Sequence, residues 1–243
     1  RNFRRFGGGQ LISLSGTWMQ QVALGWLVYR LTSSPFLLGA LAFAALFPVL
    51  VLSPLGGVLA DRVSRRRIVV VTQSVGLVQA TALAVLALSG HVTVGHLLLL
   101  AALLGIANAA DVPARQSFLV EMVEGKDDLP SAIALNSAVF NASRLVGPSI
   151  AGLLIAWIGE GLVFALNALS YVAVILALLA MRLPPAAPRP AVSTPVLRTL
   201  AEGLRYAFGF LPIRRLLLLL MLVSLVGYPY ISLLPVFARD ILK

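Results

Sequence analysis

Residues 57–67 read GVLADRVSRRR and lie between two long apolar segments. Asp61 falls at a predicted helix end, where the negative end of the helix dipole disfavours a carboxylate. The carboxylate therefore needs a cation or the N-terminus of another helix, and Arg62 and Arg65 are near enough to supply a cation. A basic cluster that only sets membrane orientation would explain the arginines. It would not explain the acid among them or Gly57, which would let another helix approach closely.

The segments on both sides of this loop have the composition of a membrane protein. Of the 243 residues, 59% are hydrophobic and 12% are charged, and the mean hydropathy is +0.95. Soluble domains average about 45–50% apolar and about 25% charged residues, and a spanning helix needs about 20 mainly apolar residues. The sequence therefore predicts an all-α, polytopic transmembrane helical bundle with these spans: Gln10–Leu31, Phe36–Ala60, Ile68–Ser89, Thr93–Ala110, Ser131–Ile158, Leu162–Ala180 and Leu216–Phe237.

The basic residues predict the orientation of these spans. With the N-terminus inside, only Arg30, Arg239 and Lys243 of the 19 basic residues lie outside, and Arg144 alone lies within a span. This positive-inside bias predicts a cytoplasmic N-terminus in a plasma membrane, the inner membrane of a bacterium. Because topology accounts for most of the net charge of +10, we expect no nucleic-acid partner.

Six spans precede a long inner connection. The outer links Thr32–Pro35, Gly90–Val92 and Gly159–Gly161 are short, which should hold the helices that they join close together. We divide the chain into a six-helix half (1–181), a cytoplasmic linker (182–215) and the first helix of a second half (216–243). Such a six-helix half can be built from two inverted three-helix repeats. Residue 1 is Arg, so we expect a piece of a longer protein.

The linker combines two kinds of sequence. It begins with the Pro-rich run PPAAPRP, which is typical of a stiff spacer. Its second part is amphipathic, which indicates either a helix lying on the inner leaflet or an ordinary charged loop. The apolar face would hold Leu197, Leu200, Leu204 and Phe208, and the polar face Arg198, Glu202 and Arg205.

Residues 57–67 resemble the GxxxDRxxRR(R/K) signature of the major facilitator superfamily, in its expected place between helices two and three, with Ser64 in place of the usual Gly. The resemblance implies the major facilitator fold, in which this loop latches the two halves together in the outward-facing state. Other stretches, such as DVPARQSFLVEMV, look like the branch that includes the enterobactin exporter and macrolide efflux proteins. The gating-loop residues implied by the resemblance are Gly57, Asp61, Arg62, Arg65, Arg66 and Arg67.

Arg144 lies midway along the predicted span Ser131–Ile158. An arginine near the bilayer centre costs at least about 2.5 kcal/mol and must face protein or water. At the helical period, Ser137, Asn141 and Pro148 share its stripe. Two readings stay open. Arg144 binds an anionic substrate or a carboxylate in a central cavity, or it forms a structural ion pair with an acid of the second half.

The stretch GPSIAG at residues 147–152 resembles the GPxxGG motif on helix five of the superfamily's antiporters, with Ala151 replacing one glycine. Gly147, Pro148 and Gly152 match the motif. Pro148 should kink the helix, and the glycines should allow close packing. The alternative is plain helix packing, which is common for glycine in membranes. The resemblance favours export over uptake.

The first span carries a polar stripe. Within it, Thr17 and Gln21 lie deepest, and the resemblance makes them candidate substrate contacts together with Asn141 and Arg144. Trp18 faces either the cavity or lipid, and lipid is the expected choice for an interfacial aromatic. The stripe holds Gln10, Ser13, Thr17, Gln20 and Gln21.

Two further polar pairs are predicted. Asn167 and Tyr171 stand one turn apart in the sixth span and should bond neighbouring helices. Asp111 and Arg115 can pair as i,i+4 neighbours at the inner end of the fourth span. By resemblance Asp111 joins the charge network of the loop at an inner gate. The alternative is a solvated helix end.

What the sequence lacks narrows the function. There is no cysteine, only His91 and His96, and no Walker A pattern, so we expect no metal, no cofactor, no ATP-driven transport and no enzyme activity. No acid lies deep in any predicted span, so coupling to a proton gradient follows from the resemblance alone. It would use Asp111, Asp61 or a residue beyond Lys243.

The expected function is secondary active export of small molecules of the drug or siderophore class by alternating access. The expected partners are the lipid bilayer, the small-molecule substrate and the missing C-terminal half of the same protein. The alternatives are an uptake facilitator of the same fold and a non-transporting membrane scaffold or sensor.

Overall fold

The computed structural model describes residues 2–122, 128–181 and 196–237. Several predictions lie outside these residues. They are the Pro-rich run of the linker and the inner or outer placement of Arg1, Lys126, Arg182, Arg189, Arg239 and Lys243. For the linker residues Leu197, Leu200 and Leu204, the backbone alone is described.

Eight helices and no strand make up the described part of the chain, which confirms the all-α prediction. The longest, α5, is divided by the non-helical backbone of Gly159 (φ 76°, ψ 167°). Its first arm (129–158) and second arm (160–179) correspond to the fifth and sixth predicted spans. The helices are α1 (Asn2–Thr32), α2 (Pro35–Arg62), α3 (Arg65–Leu88), α4 (Val94–Glu121), α5 (Leu129–Leu179), α6 (Val196–Gly209), α7 (Leu211–Ser232) and α8 (Leu234–Val236).

The helix ends follow local chemistry. Ser33 has a φ of 50° and separates α1 from α2, which starts with Pro35 at its first position. The hydroxyl of Thr93 accepts a hydrogen bond from the backbone N–H of His96 at 3.3 Å and caps α4. At Gly159 the positive φ reverses the chain without the steric cost of a side chain. These breaks coincide with the three predicted outer links.

Among the described residues, α2, α3, α4 and α5 are long and apolar enough to cross a membrane. The segments Ala201–Gly209 and Leu211–Ser224 meet at 94° and add a fifth if they count as one span. The predicted first span is helical within α1, but the glutamines of α1 lower its hydropathy below that of the four. The predicted seventh span is not one continuous helix, since α7 ends at Ser232 and α8 follows.

The helices do not pack mainly on their neighbours in sequence. α1 lies along both arms of α5, α2 lies along α4, and α3 packs on α4 and on the second arm of α5. α3 and α4 are close, as their short link predicts. The same prediction is wrong for α1 and α2, which touch only slightly. A short link fixes the distance between two helix ends, whereas packing along their length depends on the side chains that face each other.

This packing is symmetric when the first three spans are exchanged with the last three. The two arms of α5 count here as spans five and six. Under the exchange, the contact between spans one and five becomes the contact between spans four and two, which is also present. The contact between spans three and four likewise becomes the contact between spans six and one. The pair three–six maps onto itself. Two inverted three-helix repeats give this pattern, which agrees with the expectation drawn from the layout.

Candidate functional site

Asp61 is exposed at the C-terminal end of α2, two residues before the loop Val63–Ser64. No hydrogen bond or ion pair joins it to another residue of the described chain. The prediction that Arg65 neutralises Asp61 is wrong. Arg65 Nη1 instead donates to Glu121 Oε1 at 2.9 Å and to the Ser117 carbonyl oxygen at 3.3 Å, both at the end of α4.

Arg66 binds a second helix end, since its Nη2 donates to the Leu179 carbonyl oxygen at 3.1 Å. Unpaired carbonyls and the negative dipole end favour a cation at this position. Arg65 and Arg66 therefore fasten the start of α3 to the ends of α4 and α5. Arg67 is exposed. Arg65 and Arg66 thus hold these three helix ends together, whereas the carboxylate of Asp61 is left exposed.

Among the described helices, the glycine that lets another helix approach is Gly56 and not the predicted Gly57. A Cβ on Gly56 would lie 2.1 Å from the Ala109 carbonyl oxygen, so α2 and α4 are in backbone contact there. A Cβ on Gly57 would meet nothing within 4 Å. Below this contact, an apolar groove of about 460 Å³ runs between α2 and α4, lined by Leu55, Ile106 and Arg62 among others.

Asp111 and Arg115 form the predicted i,i+4 ion pair, and Arg115 Nε lies 2.9 Å from Asp111 Oδ2. The solvated helix end is the wrong alternative, because Asp111 is only 4% exposed. Its Oδ1 accepts hydrogen bonds from the Thr72 hydroxyl at 2.6 Å and from Gln73 Nε2 at 3.1 Å. All of these partners lie on α3 or α4. Among the described residues, the loop arginines are thus not hydrogen-bonded to Asp111.

The polar stripe of α1 largely faces the interior of the bundle. Gln20 receives a hydrogen bond from Asn167 at 2.8 Å and donates one to Gln79 at 3.0 Å. Thr17 Oγ1 lies 3.4 Å from the Tyr171 hydroxyl. The prediction that Asn167 and Tyr171 bond neighbouring helices is confirmed. Thr17 is wrong as a candidate substrate contact in this conformation, since it faces the second arm of α5.

Three of the predicted cavity residues, Gln21, Asn141 and Arg144, are exposed. The Asn141 amide donates to the Ser137 carbonyl oxygen at 2.9 Å, one turn earlier in α5. The three side chains lie on a part of α1 and α5 that the described helices leave uncovered. The structure therefore leaves all three polar side chains exposed on helices that are otherwise mainly apolar.

The Arg144 guanidinium lies over the ring of Trp18, with its central carbon 5.8 Å from the ring centroid. The edge of Phe140 contacts the same ring, with centroids 6.0 Å apart. Trp18 is half-buried between α1 and α5. Among the described residues, no carboxylate pairs with Arg144.

Gly147 explains why α1 comes so close to α5. A Cβ there would lie 2.7 Å from Trp18 Cβ and 2.9 Å from the Ser15 carbonyl oxygen. The packing role predicted for Gly147 is confirmed. Gly152 is exposed and a Cβ there would meet nothing within 4 Å, so it packs no described helix. Pro148 lies inside the helix, and the non-helical residue of α5 is Gly159.

Sequence reasoning also missed an ion pair between α1 and α5. Arg30 at the end of α1 binds Glu160 at the start of the second arm, with Nε–Oε1 at 2.8 Å and Nη2–Oε2 at 3.2 Å. A bidentate pair of this kind is stronger and more directional than a single contact. The sequence contained a signal for this pair, because Glu160 directly follows Gly159 in a predicted outer link, and Arg30 is predicted on the same side.

Comparison with known proteins decides the family. A family model described as "Transmembrane secretion effector" matches residues 1–243. The chain belongs to the major facilitator superfamily. It is therefore a multi-pass membrane protein of a transporter family and not an enzyme, and its helical bundle is consistent with the major facilitator fold.

Two relatives show the range of this similarity. The staphyloferrin A transporter of Staphylococcus aureus is 31% identical over 165 residues, which cover 67% of this chain and 41% of the relative. The multidrug efflux pump Tap of Mycolicibacterium fortuitum is 32% identical over 216 residues, which cover 86% of this chain and 53% of the relative. The chain spans about half the length of the curated relatives that it matches.

Proposed function

We propose that the chain is the first half of a secondary transporter that exports small molecules by alternating access. The observation that carries the proposal is the exposed polar surface of Gln21, Asn141 and Arg144 on membrane helices. An arginine facing lipid near the bilayer centre costs at least about 2.5 kcal/mol. A water-filled cavity between two halves removes that cost. A scaffold would gain nothing from such a surface.

The direction of transport rests on two kinds of support. Gly147 and Pro148 belong to the stretch that resembles the antiporter motif, and Gly147 holds α1 against α5. The family description refers to secretion, and one relative is named as an efflux pump. Export of drug-like or siderophore-like molecules is therefore proposed over uptake.

The proposed latch depends on Asp61. Its carboxylate is exposed, while Arg65 and Arg66 are bound to their own half. The groove between α2 and α4 is apolar and ends near Arg62. A helix of the second half would pack in this groove and place its positive N-terminus at Asp61 in the outward-facing state. The proton gradient is the proposed energy source, acting through Asp61, Asp111 or an acid of the second half.

The cellular location of the protein and the division of the chain into segments follow from the same proposal. The N-terminus and the linker 182–215 lie in the cytoplasm of a bacterium, and the six-helix half 1–181 spans its inner membrane. The segment 216–243 begins the second half. The basic side chains on the inner face of the described bundle, such as Arg65 and Arg66, support this orientation.

The test is flux through the full-length protein in proteoliposomes under an imposed pH gradient. The panel holds cationic dyes, macrolides and catechol siderophores. Accumulation against the concentration gradient that collapses with the pH gradient supports a proton-coupled exporter. Flux in both directions without any response to the gradient supports a facilitator instead. No flux of any compound by folded protein contradicts the proposal.

A further inference from the structure

Arg144 has an aromatic partner, whereas other arginines of the bundle are paired with acids. Arg30, Arg65 and Arg115 are each paired with a carboxylate of their own half. Arg144 is exposed and lies over Trp18, and within residues 2–122, 128–181 and 196–237 no acid pairs with it. Its charge is thus left for a group that the described half does not supply.

The aromatic partner also sets how this charge is presented. The Arg144 guanidinium lies 5.8 Å from the Trp18 ring centroid, within the range of a cation–π contact. Trp18 is held in place, because Phe140 contacts its ring and Gly147 of α5 leaves no space beside the Trp18 Cβ. A ring uses none of the N–H donors of the guanidinium, so they are available to a carboxylate or another oxyanion, which an arginine can bind bidentately.

Two exposed residues that flank Arg144 and Trp18 in sequence also favour an anionic ligand. Asn141 lies one turn before Arg144, and Gln21 lies one turn after Trp18, on nearby sides of their helices. Both carry neutral amides. With a cation and amides but no described acid, the surface attracts anions and disfavours cations.

We infer that Arg144 on Trp18 is an anion-binding subsite that recognises the oxyanion group of a negatively charged substrate, with an aromatic part of the substrate beside Trp18 and Phe140. The inference rests on the proposed transport function, since the subsite would lie in the cavity between the halves. It narrows the substrate class to organic anions. An acid of the second half that pairs permanently with Arg144 is the competing explanation.

The experiment compares two dyes that share a three-ring xanthene scaffold and differ in charge. Fluorescein is an anion and rhodamine 123 is a cation. Full-length protein in proteoliposomes is given each dye under the same pH gradient, and the retained dye is extracted and measured at a fixed pH. The variants are Arg144→Gln, Arg144→Lys and, as a matched control outside the surface, Arg198→Gln in α6.

The inference predicts that the wild type transports fluorescein, and that Arg144→Gln lowers this flux about tenfold or more, because a charge-assisted hydrogen bond is lost. Arg144→Lys keeps an intermediate flux, and Arg198→Gln keeps all of it. Rhodamine 123 flux does not fall in any variant. Binding of fluorescein to detergent-solubilised protein, followed by polarisation without a gradient, weakens in the same order.

Other outcomes separate this inference from the proposed function. Wild-type flux of rhodamine 123 without flux of fluorescein leaves the transporter standing and overturns the anionic class. Loss of both dyes in Arg144→Gln together with a lower unfolding temperature overturns the subsite in favour of the structural ion pair. Flux of neither dye by folded wild type contradicts both.

Discussion

At the scale of single residues, Asp61 of α2 and Asp111 of α4 have opposite surroundings. Asp111 is buried and holds Thr72, Gln73 and Arg115, whereas Asp61 is exposed at the end of α2. Buried, fully bonded charges hold a structure in one arrangement, whereas exposed ones are available for a partner that comes and goes. We therefore expect Asp111 to contribute to the stability of the half and Asp61 to the latch of the transport cycle.

Replacing Asp111 by Asn should destabilise the half. The change leaves Arg115 without its counter-charge in a buried place, which costs about 3–5 kcal/mol. We expect a lower midpoint in SDS-induced unfolding of the purified protein. An unchanged midpoint would show that Arg115 finds another partner or water.

Replacing Asp61 by Asn should slow transport while leaving the same unfolding midpoint. The carboxylate that would bind the second half loses its charge, and a charge-assisted hydrogen bond contributes about 1.5–3 kcal/mol. We expect flux to fall about tenfold or more. Normal efflux by this variant would rule out the latch.

Gly56 and Gly57 form a natural matched pair. Alanine at Gly56 puts a methyl group 2.1 Å from the Ala109 carbonyl oxygen and must push α2 from α4, at a cost of about 1–3 kcal/mol. Alanine at Gly57 meets open space and gains about 0.5–1 kcal/mol from helix propensity. Thermal unfolding followed by size-exclusion chromatography should show opposite shifts. Equal shifts would mean that the α2–α4 contact is looser than described.

Residue-scale prediction from the sequence succeeded where spacing alone defines the contact. The i,i+4 pair Asp111–Arg115 is such a case, because helix geometry fixes it. It failed for Arg65, whose partner Glu121 is distant in sequence. A one-residue shift separates Gly57 from the true contact at Gly56, and no local pattern distinguishes the two.

At the scale of elements, α6 and α7 meet at a sharp angle. The described helices around Phe210 bend by 94°, so if α7 crosses the membrane, α6 lies along its surface. Arg198 and Arg205 are exposed on α6, and Arg198 pairs with Glu202 at 3.0 Å. The geometry supports the interfacial helix over the ordinary loop.

An interfacial α6 should respond to lipid charge. In nanodiscs with anionic lipids, we expect slower amide hydrogen exchange over 196–209 than in zwitterionic nanodiscs, since each basic residue near the surface contributes about 1 kcal/mol. The double variant Arg198→Gln and Arg205→Gln should lose the difference. Equal exchange of the wild type in both lipids would contradict the surface position.

Hydropathy predicted where the helices lie but not how they pack. Apolar residues cover both the packed and the outer faces of membrane helices, so periodicity says little about which face meets a neighbour. The packed faces depend on small or polar residues such as Gly147 and Gln20. The pairing of α1 with α5 and of α2 with α4 therefore had to come from the structure.

At the scale of the whole molecule, the described half has a closed interior and an open face. Gln20, Gln79 and Asn167 bond across α1, α3 and the second arm of α5 and hold the interior together. Gln21, Asn141 and Arg144 remain outside it. Polar residues thus both bond the helices to one another and remain exposed on one face. This arrangement fits a rigid half that rocks against a second half around a shared cavity.

The measurement that tests this account most directly is the accessibility of single cysteines, because residues 1–243 contain none of their own. Cysteine is placed at Gln21, at Asn141 and, as a control, at Val146, which is exposed but lies about 140° around α5 from Asn141. Full-length protein in right-side-out and inside-out vesicles is then treated with a membrane-impermeant maleimide, with and without a pH gradient.

Alternating access predicts that Gln21→Cys and Asn141→Cys are labelled from one side at a time, that the gradient changes the side, and that Val146→Cys stays unlabelled. Asn141→Cys unlabelled from both sides, or labelled no faster than Val146→Cys, would contradict a water-filled cavity at this face and with it the transport mechanism.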